Sequence, residues 1–430
     1  MSAQSADAIR ALATRYAAVR GQSEYLCEDL EVEDYCVQSM DDASPIKWHL
    51  AHVSWFFETF VLKPFLPGYK DFHPQYEHLF NSYYNGVGQP FPRPQRGDLS
   101  RPTVKEVYEY RSTVDEAMFS LLKTEMSPEI VERVILGLHH EQQHQELILT
   151  DLKHHFAQNP LFPVYRVAEP RMARQVGDMK FVNFDGGVVS IGADSKDHRG
   201  DGFCFDNELP RHEVLIQPFL FADRLVTNGE FLEFVQDGGY QSSSLWLSDG
   251  WSIVQREGWQ HPKYWLYRDN TWSEFRLDGL HKLDGNAPVT HISAHEAFAY
   301  ASWLGARLPT EFEWEHVASA QHPQDAPSNS FVESRTYHPQ GYDKVSHAVV
   351  DELFGQVWQW TSSSYGPYPG YRTLPGTLGE YNGKFMSSQL VLRGGSVATP
   401  RDHYRASYRN FFYPPDRWQF TGIRLAQDAS

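Results

Sequence analysis

The residues best suited to chemistry lie in LHHEQQHQELILTDLKHH, residues 138–155. His140 and His144 stand four apart, so on a helix both imidazoles leave one face and can reach a single ion. Gln143, three after His140, lines the same face. Asp151 and His155 continue roughly along it, as candidate outer partners of the ligands. Glu146 falls about 200° round the helix from His144, poorly placed to join them. A plainer reading competes, a surface helix carrying several histidines, and so does a sharper one, the H-E-x-x-H pattern of zinc peptidases with Glu141 as base. The metzincin extension is absent after His144.

A third ligand is available upstream, in WHLAHVSWFFE. His49 and His52 stand three apart on an aromatic-rich helix, and either can face the pair if a helical bundle brings the two segments together. A buried, hydrogen-bonded histidine is the ordinary alternative for each. Three neutral imidazoles would leave up to three open positions on an octahedral ion.

The elements that must position these groups follow from pattern. Residues 5–20 carry apolar residues at helical spacing. Asp42, Ser44 and Pro45 read as a start for the helix KWHLAHVSWFFETFVLK. Thr103 with Glu106 opens a helix over Thr103–Lys123, and Ser127-Pro128 opens a last one over roughly 128–157. An irregular stretch rich in Pro, Gly and aromatics spans about Pro64 to Pro102. Four helices with one long crossover imply an up-down bundle. After Asn159-Pro160 the pattern changes to short β-like runs (KFVNF, GVVSIG, HEVLI) and two helical segments (TNGEFLEFVQDGG, SAHEAFAYASWLGA), an irregular α+β domain. The expected division is residues 1–165 and 178–430, with a linker near 160–178.

Composition narrows the class. The chain has 430 residues, too many for one ordinary core. The net charge of −17, with 38 basic against 55 acidic residues, excludes nucleic acid and an anionic membrane surface as expected partners. Aromatics make up 14%, more than a core needs. Cys27, Cys36 and Cys204 are too few and too scattered for a disulfide framework. The start is amphipathic without an apolar signal core, and no apolar run is long enough to span a bilayer. A reducing cytoplasm is the expected home.

WHLAHVSWFFE, HLFNSYYNGVG and HHEQQHQE together resemble the DinB-like iron-binding domain of the ergothioneine-biosynthesis sulfoxide synthases, the hercynine oxygenases. GARLPTEFEWEHVA, FGQVWQWTSS, EYNGKFM, VLRGGSVATP and YRNFFYPPDRWQFTGIRLA resemble the formylglycine-generating-enzyme-like domain, a C-type-lectin-like fold. The resemblance implies a multidomain chain: an all-α four-helix bundle, then the irregular α+β domain acting as a substrate-binding lid. The cysteine pair of true formylglycine-generating enzymes has no counterpart, and Arg307, Trp314 and Trp358 read as scaffold.

The resemblance further implies an Fe(II) site that selects His52 over His49 beside His140 and His144, with O2 as co-substrate. Its substrates would be hercynine and a thiol. Gln143, Asn410, Phe411 and Phe412 match the hercynine pocket, where aromatic faces suit a trimethylammonium group. Arg93 and Arg96 match positions that hold the thiol's carboxylate. Tyr83 and Tyr84 match the branch whose catalytic tyrosines come from the iron-binding domain. Phe412 stands where the branch using γ-glutamylcysteine has Asp, which favours free cysteine. Cysteines expected near Ser387 and Val397 are absent, and this keeps selenoneine synthase, joining hercynine to a selenosugar, as the alternative. A zinc hydrolase and a non-catalytic binding module are the remaining readings.

Overall fold

A computed structural model describes residues 3–167, 175–194, 202–321, 331–341 and 349–429. Residues 168–174 of the expected linker lie outside the described residues. The chain forms two compact units: Met1–Leu161 with Leu374–Tyr381, and Phe162–Thr373 with Asn382–Ser430.

The first unit contains four long helices, α1 (Ala3–Tyr25), α2 (Ile46–Phe57), α3 (Val104–Leu121) and α4 (Pro128–Ala157). Local chemistry sets their starts. Thr103 and Glu106 form the expected capping box of α3, and Ser127 caps α4 with Pro128 in its first turn. The start expected for α2 differs: its cap position is Pro45, with no side-chain cap. Ser44 is used elsewhere, donating its N–H to Asp151 on α4 and accepting from Arg96.

Helix α2 is buried on every side, as befits the central helix of the bundle, and packs against both α3 and α4. Gly137 lets α4 approach it. A Cβ at that position would lie 2.5 Å from the Phe57 ring, so a side chain there would drive the two helices apart. α2 continues into a π-helical turn, Glu58–Leu62, and the stretch read as irregular holds a short helix, Tyr76–Phe80. The buried Glu58 carboxylate ties the turn to the stretch before that short helix and to α3, accepting from the Tyr69 hydroxyl and Phe72 N–H and from the Tyr110 hydroxyl.

Leu374–Tyr381 reaches this unit from far down the sequence. Glu380 accepts from the N–H groups of Asn85 and Gly86, at 3.1 and 2.8 Å. Gly86 permits the approach, because a Cβ there would sit 2.8 Å from Thr377.

The second unit is irregular α+β. Its largest sheet has four strands in the order Asn410–Phe412, Leu390–Arg393, Trp358–Ser364, Thr421–Gly422. KFVNF, GVVSIG and HEVLI supply strands, and the two expected helices start at capping boxes, Thr227 with Glu230 and Ser293 with Glu296. A helix at Ser248–Glu257 and a three-stranded meander over residues 265–282 are additions that the sequence pattern did not announce. Buried charge organises the core: Glu311 accepts from Arg393 and Arg409, and Gln359 accepts from Trp314 and Arg424. Trp314 and Trp358 are buried, and Arg307 joins Glu313 to Asp428.

Candidate metal centre

Helix α2 carries His52 and α4 carries His140 and His144, all three buried. One donor atom from each lies within 4.8 Å of the others, and among the described residues no other group of three His, Cys or carboxylate side chains does this. Glu146 is not part of the group.

The ring orientations fit a metal. Nδ1 of His52 donates to the Phe80 carbonyl at 2.5 Å, which leaves its Nε2 a bare lone pair. That Nε2 faces Nε2 of His140 at 3.2 Å. Burial pushes all three imidazoles below their usual range, His140 to about 3, so each is a neutral ligand near neutral pH. Three neutral imidazoles with converging lone pairs suit a divalent transition metal.

Rings hold this arrangement. Trp48 stacks on His52 at 4.6 Å, Trp55 lies 5.4 Å away on a nearly parallel plane, and Phe56 packs 4.6 Å from His140. The Trp48 Nε1–H is fixed by the Leu79 carbonyl. Glu141, the candidate base of a peptidase, turns elsewhere: its carboxylate accepts from Arg20, Arg111 and Ser23 at 3.0, 2.7 and 2.7 Å. Burial alone would raise this carboxyl, but Arg111 and Arg20 outweigh it and hold it at about 2. A base so neutralised has no role in activating water, and the zinc-peptidase reading is set aside.

The remaining candidates fall into three sets. Tyr83 and Tyr84 stack at 4.6 Å, and Tyr84 packs against Trp55 at 5.7 Å. Burial raises both phenols, so they remain protonated. Gln143 accepts from the Tyr381 hydroxyl, and the Tyr381 ring lies 5.7 Å from His140 and 6.4 Å from Tyr83. Tyr381 went unassigned in the sequence, although EYNGKFM is one of the motifs that carry the resemblance.

Arg96 is buried, with its guanidinium 3.4 Å from the Trp48 ring centre. Burial, and then the neighbouring Arg93, depress it. Its Nη1 donates to Ser44, whereas its Nε has no partner among the described residues. Arg93 is exposed and held by the Asp42 carbonyl, so it does not share that buried setting.

Asn410, Phe411 and Phe412 belong to the second unit, on the edge strand of its largest sheet. Phe411 stacks on Tyr365 at 4.0 Å, and the Asn410 side chain accepts from the Phe411 N–H. All three are half-buried, whereas Tyr413 is exposed.

Comparison with known proteins agrees with this architecture. Residues 15–148 match the DinB superfamily, and residues 165–429 match the sulfatase-modifying factor enzyme 1-like domain. The chain is 32% identical to hercynine oxygenase from Mycolicibacterium smegmatis, covering 90% of this chain and 91% of that protein. It is 31% identical to hercynine oxygenase from Mycobacterium tuberculosis, covering 93% and 95%. The formylglycine-generating enzyme of Streptomyces coelicolor is 28% identical over 58% of this chain and 89% of its own length. With buried histidines on two helices ahead of a formylglycine-generating-enzyme-like unit, and relatives aligned over nearly the whole sequence, the chain belongs to the hercynine oxygenase family.

Proposed function

We propose that the chain is an iron(II)- and O2-dependent enzyme that joins hercynine to a thiol, with free cysteine favoured over γ-glutamylcysteine. The observation that carries this reading is the convergence of His52, His140 and His144 as neutral imidazoles. Zinc has the same ligand preferences but no redox chemistry, so the oxygenase names of the relatives favour iron. The reaction balances as hercynine C–H plus R–S–H plus O2 giving a C–S(=O)–R sulfoxide and water. Carbon and sulfur together lose four electrons and O2 gains them.

Iron, when bound by the three imidazoles, would supply the redox activation of O2. The rest falls to side chains of this chain. Gln143 is assigned to hydrogen-bond hercynine, its carbonyl steered by the Tyr381 hydroxyl. Asn410, Phe411 and Phe412 are assigned to hercynine as well, the rings offering their faces to its quaternary ammonium. Arg96 is the better of the two candidate carboxylate anchors, since a buried guanidinium with an unpartnered Nε favours an anion. Arg93 is assigned the outer edge of the same group. Tyr83 and Tyr84 keep their phenolic protons and are assigned the donation of a proton or hydrogen atom.

The test is oxygen uptake and product mass after anaerobic loading with Fe(II). Hercynine with cysteine should consume O2 and give hercynyl cysteine sulfoxide, and γ-glutamylcysteine should be turned over more slowly. Turnover of a selenosugar in preference to both thiols would move the assignment to selenoneine formation. No oxygen uptake with any donor would overturn it altogether.

A further inference from the structure

His49, one turn before the ligand His52, is buried and contacts His144. Its Nδ1 lies 2.8 Å from Nδ1 of His144, and its Nε2 lies 3.0 Å from Oδ2 of Asp151. The same carboxylate oxygen accepts from the Ser44 N–H at 2.8 Å. Both histidines and Asp151 are buried, at 9% exposure or less.

Proton positions along this chain follow from its donors and acceptors once His144 is read as a ligand. A carboxylate only accepts, so His49 carries a hydrogen on Nε2. Two ring nitrogens 2.8 Å apart share one proton, and for His144 to turn a bare Nε2 to an ion that proton stands on its Nδ1, with Nδ1 of His49 accepting. Nε2 of His144 is left as a lone pair, the atom an ion needs.

Resting on the reading of the three histidines as a metal site, we propose that His49, backed by Asp151, is the positioning residue that fixes the ring and tautomer of His144 for metal binding. The three ligands would then be supported unequally. His52 leans on a backbone carbonyl, His144 on a carboxylate relayed through a second imidazole, and Nδ1 of His140 on nothing among the described residues. A carboxylate behind a ligating imidazole raises its basicity and orders its orientation.

The experiment measures Co(II) affinity of the full chain by chelator competition, with the Co(II) absorption spectrum and the thermal melt of the metal-free protein alongside. His49→Phe keeps a ring but neither nitrogen, and should weaken binding by about 10–100-fold and alter the spectrum. His49→Gln has a carbonyl to accept from His144 and an amide N–H to give to Asp151, and should recover most of that loss. A role in packing alone predicts the reverse order, because Phe is the closer match in shape. His49→Phe with wild-type affinity, or folded His49→Gln as weak as His49→Phe, overturns the proposal. If His49→Phe does not fold, Asp151→Leu replaces it in the same comparison, and wild-type affinity there is equally fatal. A wild-type chain that takes up no Co(II), or a His144→Ala chain that binds as tightly as wild type, instead refutes the metal site itself.

Discussion

Three tyrosines stand beside the histidine cluster in different settings, and these predict different phenotypes. Tyr83 and Tyr84 stack on each other, with Tyr84 packed on Trp55 and Trp55 in turn beside His52. Tyr381 instead spends its hydroxyl on Gln143. Removing the hydroxyl of a proton donor should lower kcat by about 10²–10⁴-fold and leave metal uptake intact. That result is expected for at least one of Tyr83→Phe and Tyr84→Phe. Tyr381→Phe should act on Gln143 and so raise the KM for hercynine more than it lowers kcat. Steady-state kinetics on the three variants checks both statements, and wild-type kcat for Tyr83→Phe and Tyr84→Phe alike removes the pair from the chemistry.

Helix α4 shows how one element serves two ends. One face carries His140 and His144 to the centre, and the next residue, Glu141, turns toward α1 and α3 to meet Arg20 and Arg111. This ionic cluster clamps three helices in register and so sets where the imidazoles stand. Removing one partner of a buried pair strands the others without compensation, at a cost of about 3–5 kcal/mol. Glu141→Gln should therefore lower the denaturation midpoint while the folded fraction still takes up metal through the histidines. Urea titration with metal analysis measures both, and loss of metal from fully folded protein would make Glu141 part of the site after all. The spacing of His140 and His144 was legible in the sequence because a helix repeats every 3.6 residues. Which of His49 and His52 faces the pair was not legible from spacing, since both lie on a helix buried all round. The resemblance chose His52, and the contacts made by His49 give it a different task. The same limit applies to Ser44, whose side chain and N–H serve Arg96 and Asp151 instead of capping α2.

In the molecule as a whole, α3 and α4 were readable because each declares its cap locally, Thr103 with Glu106 and Ser127 with Pro128. The second unit was less so, since its stability depends on pairs distant in sequence: Glu311 meets Arg393 and Arg409, 82 and 98 residues further on. No periodicity reports such contacts, nor the return of Leu374–Tyr381 to the first unit. These pairs nonetheless make a pH prediction. Burial would raise the Glu311 carboxyl, but Arg409 and Arg393 overcome that and hold it below the ordinary carboxylate range. The folded chain thus keeps this group ionised at pH values where the unfolded chain has begun to protonate it. The stabilisation is fully present above the unfolded carboxyl's pKa of about 4.3, and is lost as pH falls through the lower folded value. Glu311→Gln should destabilise the chain near neutral pH by about 3–5 kcal/mol, by stranding two buried guanidiniums. The gap between variant and wild type should narrow as pH drops below the ordinary carboxylate range. Denaturant midpoints of both proteins between neutral and acid pH decide the matter, and a gap independent of pH would show that Glu311 is held by packing and not by its charge.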